Sequence, residues 1–394
     1  MQWLRVLILS AHPRGGWHHY TAALCNALVR HPEVVATQYL MIYREQRLYG
    51  VGQEEDDILD PAVDLAYLAP AGLLSPPRKY LLFLRNLVRW LRQVWEGAYD
   101  VIHVQTGTPG SRVFNLALLL WFKMAGVVVV RTVHEVYVPW YADRAGALAQ
   151  WCAQLELQLA DHLIVHDDFT RHCLSRTWGR EEDTMTVIPH GNYLGFRKYI
   201  PQGYDEAQAY RDSRRVVVLF FGLKRHKGLA VFLQAWRMVQ AEGHPYEALL
   251  IGTPLPEDAD LVEEARRLPG IEIQAKYIPN AQLWAYFDRS TFVVMPYLAG
   301  MTSGAVHLAY AFRRPVIASD LDCFKEMVIP GKTGLVVPRG DAIALKEAMV
   351  QLGQDQGLCT QMGEAGLQRE SSQCYRWETI ADQTIAVYRQ VRKV

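Results

Sequence analysis

The chain has no surplus of either charge: 41 Lys and Arg stand against 41 Asp and Glu in 394 residues. Proteins that hold nucleic acid usually carry a basic domain or stripe, so this balance argues against that class. Cysteine is scarce. The six that occur, Cys25, Cys152, Cys173, Cys323, Cys359 and Cys374, show neither C-x-x-C nor metal-ligand spacing. Scattered thiols in a chain this long read as reduced residues of a cytosolic protein, not as a disulfide framework. Long apolar runs are missing too. A bilayer span needs about 20 unbroken apolar residues, and the longest stretch, 113–130, is broken by Lys123 and Gly126. The first apolar run, in MQWLRVLILS, is short and contains Arg5, so it reads as a first strand and not as a signal peptide. There is no G-x-G-x-x-G, which argues against a dinucleotide dehydrogenase. Internal repeats and low-complexity segments are also absent.

Half of the residues are hydrophobic and 21% are charged, which excludes a disordered chain. The length suits two domains of about 150–200 residues each. Short β-branched runs alternate with helical periods, the pattern of parallel sheets covered by helices. Strands are expected at 4–9, 34–39, 101–105, 127–133, 162–166 and 185–188, and again at 216–221, 248–251, 271–274, 292–295, 315–318 and 334–336. Each set makes a Rossmann-like sheet by itself. The polar segment 198–215 reads as the linker, giving domains 1–197 and 216–374. In the final segment, 375–394, the residues Trp377, Ile380, Ala381, Thr384, Tyr388 and Val391 lie on one helical stripe that must bury against something.

Ligands of open parallel sheets bind beyond the carboxyl ends of the strands, so residues that follow strands are the candidates. Gly15 and Gly16 follow the first strand and precede a helix. Glycines there let a backbone approach an anion at a helix N-terminus, although a plain tight turn has the same sequence. Lys224, Arg225, His226, Lys227 and Gly228 lie between a strand and a helix. Cations and free amides at such a turn suit a diphosphate; the plainer reading is a solvated basic loop. Thr302, Ser303 and Gly304 open another helix after a strand, as a second anion cradle or as an ordinary N-cap. His134 and Glu135 end a strand, where an imidazole meets sugar hydroxyls or is simply satisfied. Gly191, in His190-Gly191-Asn192, marks positive φ or close packing.

These features occur in an order that resembles the retaining glycosyltransferases of family 4, which have the GT-B fold. The matching segments are GGWHHYTAAL, RTVHEVYVP, LIVHDDFTRHCL, VIPHGNYLGF, FFGLKRHKGLAVFLQA, RRPVIASDLDCFKEMVIPGKTGLVVP and WETIADQTIAVYRQV, spread over nearly the whole chain. The resemblance implies two Rossmann-like domains facing each other across a cleft, with the last helix crossing back to the first domain. It implies that Lys227 and a second cation, Lys224 or Arg225, hold the donor diphosphate, with Gly16 closing over it. His134 would sit by the transferred sugar, and the base would lie near 276–279, where Tyr277 and Ile278 are. It also implies no metal, because fixed cations and helix N-termini stabilise the departing diphosphate. Two departures stand out. Gly300 and Leu308 occupy the positions of the family's E-x7-E carboxylates, with Ser303-Gly304 fitting a variant of that region. The loop 222–227 is also one residue short.

The segment 77–95 reads as a helix with an apolar stripe of Tyr80, Leu84, Leu87, Val88, Leu91, Val94 and Trp95 beside Arg78, Arg85, Arg89 and Arg92. A basic amphipathic helix lies on an anionic bilayer; a core helix with a solvated basic face has the same sequence.

The expected protein is therefore a cytoplasmic glycosyltransferase, with the inner face of the membrane as a second expected place. It takes a UDP- or GDP-linked sugar and a glycan, lipid-linked or small-molecule acceptor, and needs no nucleic acid and no metal. Lys227 and His134 are the expected catalytic residues. The alternatives are a GT-B phosphorylase or sugar-nucleotide epimerase, and a catalytically silent partner in glycan assembly.

Overall fold

The computed structural model describes residues 3–10, 15–43, 58–69, 76–106, 112–134, 147–205, 215–300 and 303–392. They form two compact units, residues 1–191 with 374–394, and residues 192–373.

The first unit is built on a parallel sheet of seven strands: β1 (Leu4–Ser10), β2 (Val34–Tyr43), β3 (Asp64–Ala69), β4 (Val101–Val104), β5 (Val128–Thr132), β6 (His162–Val165) and β7 (Met185–Val187). Their spatial order is β3-β2-β1-β4-β5-β6-β7. The order reverses between β1 and β4, and a ligand crevice opens at such a switch point. Helices α1 (Gly15–Arg30), α2 (Pro76–Trp95), α3 (Arg112–Met124), α4 (Ala147–Leu159) and α5 (Asp168–Trp178) connect the strands. A parallel sheet covered on both faces needs strands that are apolar on both sides, and β4 and β6 are buried along their whole length. β3 is the strand that the sequence pattern does not announce. It is an edge strand that pairs with β2 alone, and its DLAYLA carries one acid and two alanines, residues depleted in strands.

The second unit holds a parallel sheet of six strands: β8 (Val217–Phe221), β9 (Glu247–Ile251), β10 (Ile271–Gln274), β11 (Phe292–Met295), β12 (Val316–Ser319) and β13 (Gly334–Val337), in the order β10-β9-β8-β11-β12-β13. Here the switch point lies between β8 and β11. Helices α6 (Leu229–Ala241), α7 (Ala259–Arg266), α8 (Asn280–Arg289), α9 (Gly304–Ala311), α10 (Asp322–Lys325), α11 (Ala342–Gln354) and α12 (Gln356–Glu370) complete it. Two apolar clusters, one around Phe232 and Trp236 and one around Phe287 and Tyr310, form its core.

The last helix, α13 (Trp377–Arg392), packs on α1 in the first unit. It buries Ile380, Ala381, Ile385 and Tyr388. The Tyr388 hydroxyl lies 2.6 Å from His103 Nδ1 on β4. Arg392 reaches Asp100 at 3.3 Å, and the same carboxylate accepts the Arg5 amide at 2.8 Å. Gly191 owes its place to close packing: a Cβ there would lie 2.5 Å from the Trp377 ring. Of the expected linker, residues 206–214 lie outside the described residues.

The N-terminus of α11 is closed by Asp341, whose carboxylate accepts the amides of Ile343 and Ala344 at 2.9 Å each. Replacing such a cap by alanine costs about 1 kcal/mol. Asp341→Ala should therefore lower urea stability by about that amount without changing donor binding, and an unchanged midpoint would show that the cap is dispensable.

Candidate functional site

Two loops meet at the carboxyl ends of β8 and β11, neighbouring strands at the switch point of the second sheet. The first follows β8. Lys224 has extended backbone, and Arg225–Lys227 form one 3-10 turn that ends at Gly228 with φ +79°. The second runs from Pro296 to Gly304. The loops are laced together by their backbones. The His226 carbonyl accepts the amide of Leu298 at 2.8 Å and that of Ala299 at 3.3 Å. Gly228 lies so close to the second loop that a Cβ there would meet the Pro296 oxygen at 1.9 Å. Glycine is required at this position for space as well as for positive φ.

Lys227 projects from this junction. Its ammonium lies 5.2 Å from the centre of the Tyr297 ring and 5.8 Å from that of Phe221. Its chain packs on Gly222, where a Cβ would meet Nζ at 2.6 Å. Among the described residues it makes no ion pair. A half-buried ammonium held over aromatic faces keeps its charge available to an anion. Tyr297 extends the contact: its hydroxyl lies 3.3 Å from Ser303 Oγ. Ser303 stands at the N-cap position of α9 but makes no side-chain capping bond, so its hydroxyl does not close the first-turn amides. Gly304 packs under Tyr193, whose hydroxyl a Cβ would meet at 2.8 Å. The helix behind this turn is anchored in the core by His307, whose Nδ1 lies 2.9 Å from Glu370 of α12, both groups fully buried. Lys227 and the Ser303-Gly304 turn are thus joined through Tyr297, which the sequence reading did not single out. Its signal was an aromatic residue immediately after a strand and proline.

The remaining candidates are placed as follows. Arg225 is tied to the start of α7: its Nε donates to the Glu257 carbonyl at 2.9 Å, its Nη2 pairs with Asp260, and its amide donates to Asp258 at 2.9 Å. Lys224 precedes it at the start of the 3-10 turn. Burial, then the neighbouring Lys224 and Lys227, lower the His226 imidazole to about 4. Ile278 is buried in the apolar core of the second unit, so only its backbone is free to face a ligand. Tyr277, beside it, is half-buried. Thr302 lies outside the described residues. Leu308 is a core residue and Gly300 has φ +155°. Two D-x-D triplets occur, Asp258-Ala259-Asp260 and Asp320-Leu321-Asp322. Their carboxylates bind Arg225, the Arg339 amide and Lys325, and the described residues contain no cluster of three metal-ligating side chains.

In the first unit, α1 starts at Gly15, with φ +72°, and Gly16 is exposed beside it. His134 follows β5, and its neighbour Glu135 lies outside the described residues. Both ring nitrogens of His134 are engaged, Nε2 at 2.9 Å from Gln105 Oε1 and Nδ1 at 3.2 Å from His166 Nε2. His166 and His190 follow the adjacent strands β6 and β7, and the rings of all three histidines pack around buried Tyr20, with centroids about 5 Å from it. Burial, then the His166, His103 and Arg131 charges, hold the His134 imidazole well below its ordinary value. It is therefore a neutral ring at neutral pH. Direct contact with a sugar hydroxyl requires it to exchange one of these partners.

The description "Glycosyltransferase Family 4" matches residues 14–192, and "Glycosyl transferases group 1" matches residues 215–355. The chain belongs to glycosyltransferase family 4. It is 28% identical over 319 residues to the alpha-maltose-1-phosphate synthase of Mycolicibacterium smegmatis, covering 75% of this chain and 80% of that one. It is 27% identical over 318 residues to the phosphatidyl-myo-inositol mannosyltransferase of Mycobacterium leprae, covering 77% and 76%. The structure of Anabaena HepE in complex with UDP superposes with a TM-score of 0.71 at 16% identity, covering 98% of this chain and 100% of that one. The fold is accordingly GT-B, and the family 4 chain is a glycosyltransferase enzyme.

The low value of His226 has a consequence for stability. Between its ordinary 6.5 and about 4, the unfolded chain takes up a proton that the folded chain does not. Stability contributed by this neutral ring is present above 6.5 and falls as pH falls through that window. A His226→Gln variant should show a shallower decline of urea midpoint between those pH values. An unchanged slope would remove His226 as its source.

Proposed function

We propose that this glycosyltransferase takes a UDP- or GDP-linked sugar and stabilises the departing diphosphate with Lys227 and the amides at the start of α9. The observation that carries this reading is the ammonium of Lys227, without an ion pair among the described residues, at the switch point of the second sheet beside the Ser303-Gly304 turn. Charge develops on the leaving oxygen as the glycosidic bond breaks. A preorganised cation and helix amides stabilise that charge without reorganising at the moment of reaction. They also supply what a divalent ion would supply, which supports metal-independent transfer. The second cation is assigned to Lys224 or Arg225, of which Arg225 also holds Asp260 and the Glu257 carbonyl. The base is assigned to the backbone of Tyr277 and Ile278, and closure over the diphosphate to Gly15 and Gly16. Retention of the anomeric configuration is part of the proposal, by analogy with the family, and no carboxylate nucleophile is invoked.

His134 is assigned to the transferred sugar as a neutral ring that polarises or orients, not as an acid. With Leu308 in the core, a ribose contact is assigned to the Ser303 hydroxyl. The acceptor is assigned to the lipid or small-molecule class, in keeping with the names of the two curated relatives. The first unit, residues 1–191 with 374–394, is assigned to the acceptor and the second, residues 192–373, to the donor. A cytoplasmic location at a membrane face fits a lipid acceptor.

Removing one preorganised donor of this kind typically costs about 10²–10³ in rate. Lys227→Ala should lose turnover on that scale and weaken UDP or GDP binding in calorimetry, while its circular dichroism stays that of the parent. Near-parental turnover would refute the role. Nucleotide binding by the parent with no donor hydrolysis or transfer would instead favour the silent-partner reading.

A further inference from the structure

Helix α2 has three faces, not two. Trp90 and Val94 are buried against the unit. Tyr80, Leu81, Leu84 and Val88 form a second apolar ridge, and it is exposed: Tyr80 and Leu81 by 70%, Val88 by 64%. At 100° per residue these four span about 100°, starting about 40° from Val94 and running away from the buried face. Beyond the ridge lie Arg78, Arg85, Arg89 and Arg92, all exposed. Among the described residues, Arg92 alone of these has an acidic partner, Glu96 at 2.7 Å, and no acidic residue occurs within α2.

Helix α3 repeats the arrangement. Leu118, Leu119 and Phe122 are buried, while Val113, Leu120 and Met124 are exposed on a separate ridge at spacings of seven and four. The two helices lie side by side. Phe83 and Phe114 have ring centroids 6.4 Å apart, and Trp95 and Trp121 have theirs 5.2 Å apart. Half-exposed Trp95 lies on the same side of α2 as the outer ridge. The Trp95–Trp121 contact therefore joins the two ridges into one apolar surface, bordered on its α2 side by the arginines. Both helices already bury a proper core face, so the fold does not need the outer one.

We propose that α2 and α3 together form a docking surface for an anionic phospholipid bilayer. Exposed apolar residues that are not needed for the core and are flanked by cations of one sign match the acyl–headgroup boundary: apolar side chains enter it and arginines meet lipid phosphates. A second copy of this chain would bring the same arginines against themselves, so the charge pattern selects the lipid. No helix among the described residues is long and apolar enough to cross a membrane, and a surface of this kind makes reversible peripheral contact. The proposal does not depend on the donor assignment.

The test is co-sedimentation with vesicles of phosphatidylcholine alone and of phosphatidylcholine with phosphatidylglycerol, at low and physiological salt. Binding is expected to the anionic vesicles only and to weaken with salt. Leu120→Glu with Met124→Glu, and separately Arg85→Glu with Arg89→Glu, should each lower vesicle affinity by about tenfold or more. Calorimetric UDP or GDP binding should be the same in both variants, which separates this proposal from failure of the donor site or of folding. No binding to anionic vesicles at low salt would overturn it, and so would a Leu120/Met124 variant that binds like the parent. A concentration-dependent dimer that the same variant dissolves, without vesicle binding, would assign the surface to a second copy instead.

Discussion

The acceptance of the Leu298 and Ala299 amides by the His226 carbonyl is the constraint on which the donor half of the molecule depends. It makes one structure out of two loops that leave the carboxyl ends of neighbouring parallel strands. Gly228 lets the loops touch. Tyr297 then becomes a wall for Lys227 and a neighbour for Ser303. The buried His307–Glu370 pair fixes the helix behind that turn. The site's polar groups are thus few, and most of its ordering comes from backbone contacts and small residues. That is the economy expected where a charged ligand must be met by groups already in place.

Much of the architecture was legible because parallel strands are buried on both faces and so appear as plain apolar runs. The expected strands 271–274 and 292–295 coincide with β10 and β11 to the residue, since each is bounded by turn-forming or polar residues. β3 escaped because an edge strand with a single neighbour tolerates Asp64 and two alanines. The basic loop could be picked from its position after a strand. The role of Tyr297 could not, because it depends on which strands are neighbours in the sheet. Gly304 is similar: the residue that requires it, Tyr193, is distant in sequence.

Helix α2 shows a different limit. Its apolar residues cover more than half of its circumference, so periodicity finds a helix but cannot say which part of the stripe faces inward. The stripe read from the sequence mixed buried Val94 with exposed Tyr80 and Val88. His134 was found from its place at a strand end, yet its surroundings come from three strands and α1. The sheet order brings His166 and His190 to its side, and α1 supplies Tyr20.

Those imidazoles impose a proton inventory. The chain of contacts runs from the Ile188 carbonyl through His166 and His134 to Gln105. With the Gln105 oxygen facing His134, both ends accept, and the three links need three N–H groups. Two neutral rings own two. The shortfall is met either by a third proton, which makes the pair a cation, or by turning the Gln105 amide so that its NH₂ donates to His134 and its oxygen faces His103. Burial opposes the cation. The orientation of one side-chain amide therefore decides which nitrogen of His134 carries its hydrogen, and a ligand that takes over the Gln105 contact inherits a lone pair, not a donor.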